Sequence, residues 1–435
     1  MLLKLKRFTH YRFFVFLAFL VMLLFMRYTL QINVSKTILT LFVVIIALSG
    51  DRDEIISIAM CCIPLHNAID LYISLGSCMI AYLLKYVKCI KLNSFSILTF
   101  IVVIWELMHC FNSYFSIKLF LASIIPWIFL TIIISLDMKD LDYVFVIRVM
   151  ASVTAIVCIL LLSNLVIKKN YDFTEAFASI HRLGMNFNYA YTQNLLVNPN
   201  SLGIVCLLAI TAILQISIKE NINLIDSILI LFLLIFGVLT ASRTFLVCFI
   251  VMVILLFLGI QINKKKKFQF VVLLGILVIL ASIILIFWFP NSVEYYIYRF
   301  SKDDITNGRD ELMRIYNDYI SDNMDVMCFG IGLNNFEHKI INVYHISNTV
   351  PHNAIQEIII SWGLPGLLMI VFFILIMYME SKRYGEKKIL LNFIPLIIIL
   401  TKSMAGQLLT SGYTMLSLVL AYLSLCQNFK QTEEN

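Results

Sequence analysis

The sequence predicts an all-α polytopic membrane protein of about 12–14 transmembrane helices, with one large external loop containing short amphipathic helices. Three observations predict it. Of 435 residues, 61% are hydrophobic and only 14% are charged, where a soluble chain carries about a quarter charged. Many apolar runs reach about 18 residues or more, the length that crosses a bilayer. Lysine and arginine also gather in short segments on one side of the expected topology, as the positive-inside rule requires.

The elements follow in order along the chain. The first apolar run, from about Phe13 to Met26, follows Lys4, Lys6, Arg7 and Arg12 and has the look of a secretory leader. No small-residue cleavage site comes after it, so it reads as a retained first helix. Spans are expected at 13–30, 35–50, 94–110, 116–136, 143–167, 199–218, 223–241, 243–262, 268–289, 354–379, 388–405 and 408–426. Pro64, His66, Asn67 and Asp70 interrupt residues 54–88, which read either as two short helices or as a re-entrant hairpin.

With both termini in the cytoplasm, Lys85, Lys88 and Lys91, the run Lys264 to Lys267 and the cluster Lys382, Arg383, Lys387 and Lys388 face inward. The net charge of +7 is thus topological, and no nucleic-acid partner is expected. The same topology leaves two longer polar segments outside, 168–198 and 290–352, and loops held by a rigid bundle tend to carry sites. Cys61, Cys62, Cys78, Cys89, Cys158, Cys206, Cys248 and Cys426 fall in or beside apolar runs, Cys110 ends a helix, and Cys328 lies in a long polar loop. That distribution excludes a disulfide framework.

No P-loop, H-E-x-x-H or paired C-x-x-C occurs, and Asp303 and Asp304 read as solvated carboxylates, so neither metal nor cofactor is expected. In the larger loop, "TNGRDELMRIYNDYI" (306–320) places Leu312, Ile315, Tyr316, Tyr319 and Ile320 at helical spacing. Asn307 is the expected N-cap, and Asp310 and Glu311 suit the first turn. Arg309 at its start shares a side with Met313 and Tyr316; it either turns into the protein or snorkels at the membrane surface. "FGIGLNNF" (329–336) holds two glycines suited to tight turns or close backbone approach.

In "NTVPHNAIQEIIISWGLPGLLMI" (348–370), Asn353 and Gln356 have capping-box spacing, so a helix starts there and runs into the membrane. His352 sits before its electropositive end, where a neutral imidazole is favoured. It reads either as a general base for a hydroxyl or as an interfacial residue that helps the cap. "NPNSLG" (198–203) repeats the pattern, with Asn198 as cap and Pro199 at the first helical position. "TASRTF" (240–245) puts Arg243 at an external turn, and "HRLGMNFN" (181–188) puts Arg182 in the smaller loop. Arginine beside hydrocarbon is costly unless it meets an anion or a polar cavity, although snorkelling also suits a tight turn. External arginines, helix amino termini and a histidine together suit a diphosphate and a hydroxyl nucleophile.

Taken in order, HRLG, NPN, SR, GRD, GxG, PHNxxxE and GxxG make residues 180 to 370 resemble the O-antigen polymerase and ligase superfamily. The resemblance implies an inverting, metal-independent glycosyltransferase of the bacterial cytoplasmic membrane, active at its external face. Its donor would be a polyprenyl-diphosphate-linked oligosaccharide, and its acceptor a second lipid-linked repeat unit (polymerase) or the lipid A core (ligase). Membrane lipids, a flippase and a chain-length regulator would be its partners. Arg243 and Arg309 would bind the leaving diphosphate, His352 would orient or deprotonate the acceptor, and Arg182 would assist at the rim. Asn200, Asn353 and Glu357 would bind substrate.

The expected division is residues 1–170 as amino-terminal membrane helices and 171–435 as the family-like core with its loops. A lipid-linked oligosaccharide flippase is the competing class. It would show repeats and a charge cluster at mid-bilayer, and the sequence shows neither.

Overall fold

A computed structural model describes residues 10–109, 117–135, 141–184, 195, 197–219, 223–259, 264–301, 309–333, 335, 340, 351–383, 389–404, 406–409 and 412–433. The described residues are overwhelmingly helical and contain no strand. Five helices are long and apolar enough to cross a membrane, Tyr11–Tyr28, Tyr143–Ile167, Pro199–Ile218, Lys267–Trp288 and Ala354–Met379. Shorter apolar helices occupy other expected spans, so the chain is an all-α polytopic membrane protein.

Contacts divide the chain into two compact units, residues 1–87 with 140–301 and residues 88–139 with 302–435. The first begins with α1 (Tyr11–Tyr28), α2 (Lys36–Ser49), α3 (Arg52–Cys61) and α4 (Leu71–Tyr86). Side-chain caps set their starts: Ser35 accepts from Ile38 N, Asp70 accepts from Ile73 N, and Asp51 with Glu54 forms a full capping box. The ambiguous stretch 54–88 is a helical hairpin, with turns at 62–68 where Pro64, His66 and Asn67 interrupt the apolar run. Lys85 Nζ donates to the carbonyls of Leu48 and Gly50, both at 2.6 Å, so the hairpin returns to the level at which it began.

After α5 (Ser94–His109) and α6 (Ile117–Ile134), which belong to the second unit, the first unit resumes with α7 (Tyr143–Lys168) and the short α8 (Phe173–Ala178). It continues with α9 (Pro199–Lys219), α10 (Leu224–Leu239), α11 (Arg243–Gly259), α12 (Lys264–Trp288) and α13 (Pro290–Ser301). Asn198 caps α9 as expected, its Oδ1 accepting from Asn200 N at 2.9 Å. Gly237 lets α10 lie against Phe245, because a Cβ there would collide with the ring. The apolar helices α7 and α10 are joined by an ion pair: Arg148 Nε and Nη2 donate to the two oxygens of Asp226 at 2.9 and 2.8 Å. This two-point geometry is the strongest form of an arginine–carboxylate pair.

The second unit adds α14 (Arg309–Asp322), α15 (Met324–Phe329), α16 (Ala354–Arg383), α17 (Ile389–Ser403) and α18 (Gly412–Glu433). The amphipathic reading of 306–320 holds: Leu312, Tyr316 and Tyr319 of α14 are buried with Val326, Ile331, Ile340 and Ile360. The expected cap Asn307 lies outside the described residues. Helix α16 kinks at Gly363, whose φ of 66° is left-handed, with Pro365 just beyond. The kink leaves two carbonyls without helical partners, and the glycine loop fills them: Ile331 N donates to Ile360 O at 2.7 Å and Gly332 N to Ser361 O at 2.8 Å. Gly330 and Gly332, with φ of 75° and 82°, are what allow this approach.

Replacing Arg148 by methionine leaves the Asp226 carboxylate buried without its counter-ion. The loss should be about 3 kcal/mol, and Arg148→Met with Asp226→Leu should return most of it. Thermal unfolding in detergent of the two single variants and the double variant checks this.

Candidate functional site

The first unit builds its site around one turn. Helix α10 ends at Leu239 and α11 starts at Arg243, so Thr240, Ala241 and Ser242 reverse the chain in three residues. Ala241 takes a φ of 45°, unusual for a residue with a side chain. The carbonyls of Thr240 and Ala241 have no helical partner, while Ser242 O accepts from Leu246 N at 3.3 Å at the start of α11; each of the three also receives a side chain from another segment. Arg182 Nε donates to Thr240 O at 2.9 Å, Arg299 Nη1 to Ala241 O, and Tyr296 Oη to Ser242 O at 2.8 Å.

The donors are held in place locally. Leu183 N bonds to Leu239 O at 2.8 Å and Ser292 Oγ to Ile180 O, which tie the segment after α8 to the end of α10 and to α13. Gly184, at φ 95°, turns that segment toward Val197, where a Cβ would come within 2.6 Å of the carbonyl. Arg182 Nη2 also donates to Asn200 Oδ1 at 2.9 Å, on the first turn of α9. Of the expected residues, Arg182, Asn200 and Arg243 therefore come together.

The electrostatics of the turn are lopsided. Burial, followed by the charges of Arg299 and Arg243, lowers Arg182 to about 10. Burial and the charge of Arg243 also lower Arg299. Tyr296 is pushed up to about 12, chiefly by burial. Arg243 opens α11, and its Nη1 is buried with no hydrogen-bond partner among the described residues. Three guanidinium groups held at mutual repulsion, one with a buried donor that has no partner among the described residues, have the charge and donors to receive an anion carrying more than one charge.

The remaining expected residues lie in the second unit. His352 and Asn353 form the bend before α16, and Asn353 Oδ1 accepts from Ile355 N at 2.9 Å and Gln356 N at 3.3 Å. Asn353 is thus the predicted cap, but the capping box is not closed. The Gln356 side chain turns to α14 instead, donating to Met313 O and Asn317 Oδ1, both at 2.7 Å. Glu357 is fully buried. Its carboxylate accepts from Leu408 N and, at 3.1 Å, Leu409 N, which places it as an anchor for the segment between α17 and α18. Arg309 is the first residue of α14; its side chain lies outside the described residues.

Sequence reasoning missed three residues. Arg299 and Tyr296 sit on an amphipathic helix next to a membrane span, where such side chains usually mark an interface; their spacing of three, one helical turn, was the available signal. Glu106 is buried in the apolar α5, accepting from Leu333 N at 3.2 Å and from Trp362 Nε1. A carboxylate inside an apolar run was itself a signal. Among the described residues the one cluster of metal-capable groups is His10, Asp51 and Glu54. These already bond to one another, through the capping box and a 2.9 Å His10–Glu54 contact.

Residues 228–371, about a third of the chain, match the family model described as O-antigen ligase. The match spans the Thr240–Ser242 turn, Arg299, α14 and the start of α16. No curated protein matches the chain.

Inorganic diphosphate should raise the unfolding temperature of the detergent-solubilised protein by roughly 2–4 °C near saturation. Arg243→Ala should remove most of the rise. Because Arg182 carries its proton below about 10, the rise should be full at neutral pH and fade as pH climbs through that value.

Proposed function

We propose that this chain belongs to the O-antigen polymerase and ligase superfamily, as the match over residues 228–371 supports, and polymerises lipid-diphosphate-linked oligosaccharide repeat units at the external face of the bacterial cytoplasmic membrane. The family match over residues 228–371 supports a membrane enzyme of O-antigen assembly; the finer assignment is ours. The observation that carries it is the arginine cluster at the Thr240–Ser242 turn, which has the charge and donor geometry for a diphosphate. We assign the functional core to residues 171–435.

In this reading an acceptor sugar hydroxyl attacks the anomeric carbon of the donor glycan from the face opposite the diphosphate. The new glycosidic C–O bond forms as the bond to the diphosphate oxygen breaks, so the configuration inverts. Polyprenyl diphosphate departs with the bonding electron pair. Arg243, Arg182 and Arg309 stabilise the charge growing on it, joined by Arg299. Such preorganised stabilisation of a developing charge is usually the largest catalytic effect. His352 takes the hydroxyl proton, and its place before the amino-terminal end of α16 favours the neutral imidazole a base needs. No metal is required where guanidinium groups supply the positive charge. A flippase would deliver the donor, and a chain-length regulator would act on the product.

The description of the matched family favours a second reading, a ligase transferring finished glycan to the lipid A core. The flippase reading gains nothing from Arg148, whose charge is met by Asp226.

Glycan gels from cells lacking the native gene, complemented at matched membrane levels, separate these readings. Wild type should restore a ladder of many repeat units. Arg243→Ala, Arg309→Ala and His352→Ala should each cut polymer yield by about 100-fold. Long chains that persist without the gene but stay unattached to the outer lipid would make it the ligase; full activity of all three variants would overturn the site.

A further inference from the structure

Gln356 joins two elements that the proposed reaction needs held together. Its backbone N–H is bonded to Asn353 Oδ1, in the cap beside His352. Its buried side chain spends both amide protons on α14, at Met313 O and Asn317 Oδ1. Met313 lies about one turn beyond Arg309, and His352 about one turn before Gln356. One side chain therefore fixes the helix that Arg309 opens against the bend that carries His352.

Leu312, Tyr316 and Tyr319 pack into an apolar cluster with Ile331 and Ile360, and apolar contact is non-directional. Two hydrogen bonds from a single amide, one to a main-chain carbonyl and one to a side chain a turn later, define both rotation and axial position. A Gln356 devoted to capping would have left α14 without this tether.

We propose that Gln356 is a positioning residue, which sets the register of α14 on α16 and so the separation of Arg309 from His352. The inference rests on the reading that both residues serve one glycosyl transfer. Misplacement of a reacting group by about 1 Å can cost 100-fold in rate, so a small slip of α14 is enough.

The test uses full-length protein in nanodiscs, with lipid-linked repeat units extracted from the null strain as substrate. Spin labels at Asp310→Cys and Ile355→Cys, in a background with competing cysteines replaced by serine, read the separation of the two helix starts. Gln356→Met keeps the length and removes both donors. It should broaden the distance distribution and lower kcat at least tenfold, with donor KM within threefold and unfolding still cooperative. Asn317→Ala should give a smaller loss, and Gln356→Met with Asn317→Ala no more than Gln356→Met alone.

An unchanged distance, or a broadened one with unchanged kcat, overturns the proposal. Should Gln356→Met not fold, Gln356→Leu, which also has no donors, is held to the same two readouts. Full activity of Arg309→Ala and His352→Ala would overturn the functional reading instead, and the distance measurement would still decide whether Gln356 sets the register.

Discussion

A backbone carbonyl that a helix gives up at or within hydrocarbon must find another donor, because no water is there to supply one. Both units break a helical path and both meet this constraint. In the first, α10 turns into α11 and the carbonyls of Thr240 and Ala241 are met by Arg182 and Arg299, while Tyr296 adds a second donor to Ser242 O beside Leu246 N. In the second, α16 kinks at Gly363 and two carbonyls are met by the amides of Ile331 and Gly332. In the first unit the residues we assign to the reaction gather at that interruption.

In the first unit the constraint explains why cations gather at the turn. A guanidinium can give one N–H to a main-chain oxygen and keep its charge. Arg182 and Arg299 stabilise the turn in that way and still present positive charge around Arg243. The structural and the electrostatic demands are met by the same atoms, and a neutral donor would satisfy only the first.

In the second unit the solution is backbone against backbone, and glycine makes it possible. A Cβ on Gly363 would fall 2.7 Å from the main chain of Cys328, and one on Gly330 would collide with Ser361. Glu106 then seals the junction by accepting from Leu333 N and Trp362 Nε1 at once. The glycines of "FGIG" thus serve the close backbone approach that the sequence allowed, here to α16, which small size alone does not identify.

Local rules carried most of the fold into view. Helix starts at Asn198 and Asn353, the first-turn acids of α14 and its buried face all follow from spacing within one or two turns. Arg182, Asn200 and Arg243 could be picked out because charge beside hydrocarbon needs a reason. The partners were not legible, since they lie far off in sequence: Glu106 and Leu333 are 227 residues apart, and Glu357 and Leu408 are 51 apart. Gln356 shows the limit most clearly. Its spacing fits a capping box, and only the arrival of α14 decides that its amide goes elsewhere.

The Arg148–Asp226 pair has a consequence for how the protein is made. Its halves are 78 residues apart in the chain, and at 5–20 residues per second the ribosome reaches Asp226 roughly 4–16 s after Arg148. For that interval α7 carries an uncompensated guanidinium that lipid disfavours. Until α10 emerges, Arg148, six residues into α7, can reach toward the aqueous edge but cannot form its pair. Biogenesis of this unit is then a matter of timing, with α7 and α10 leaving for the bilayer as a neutral couple.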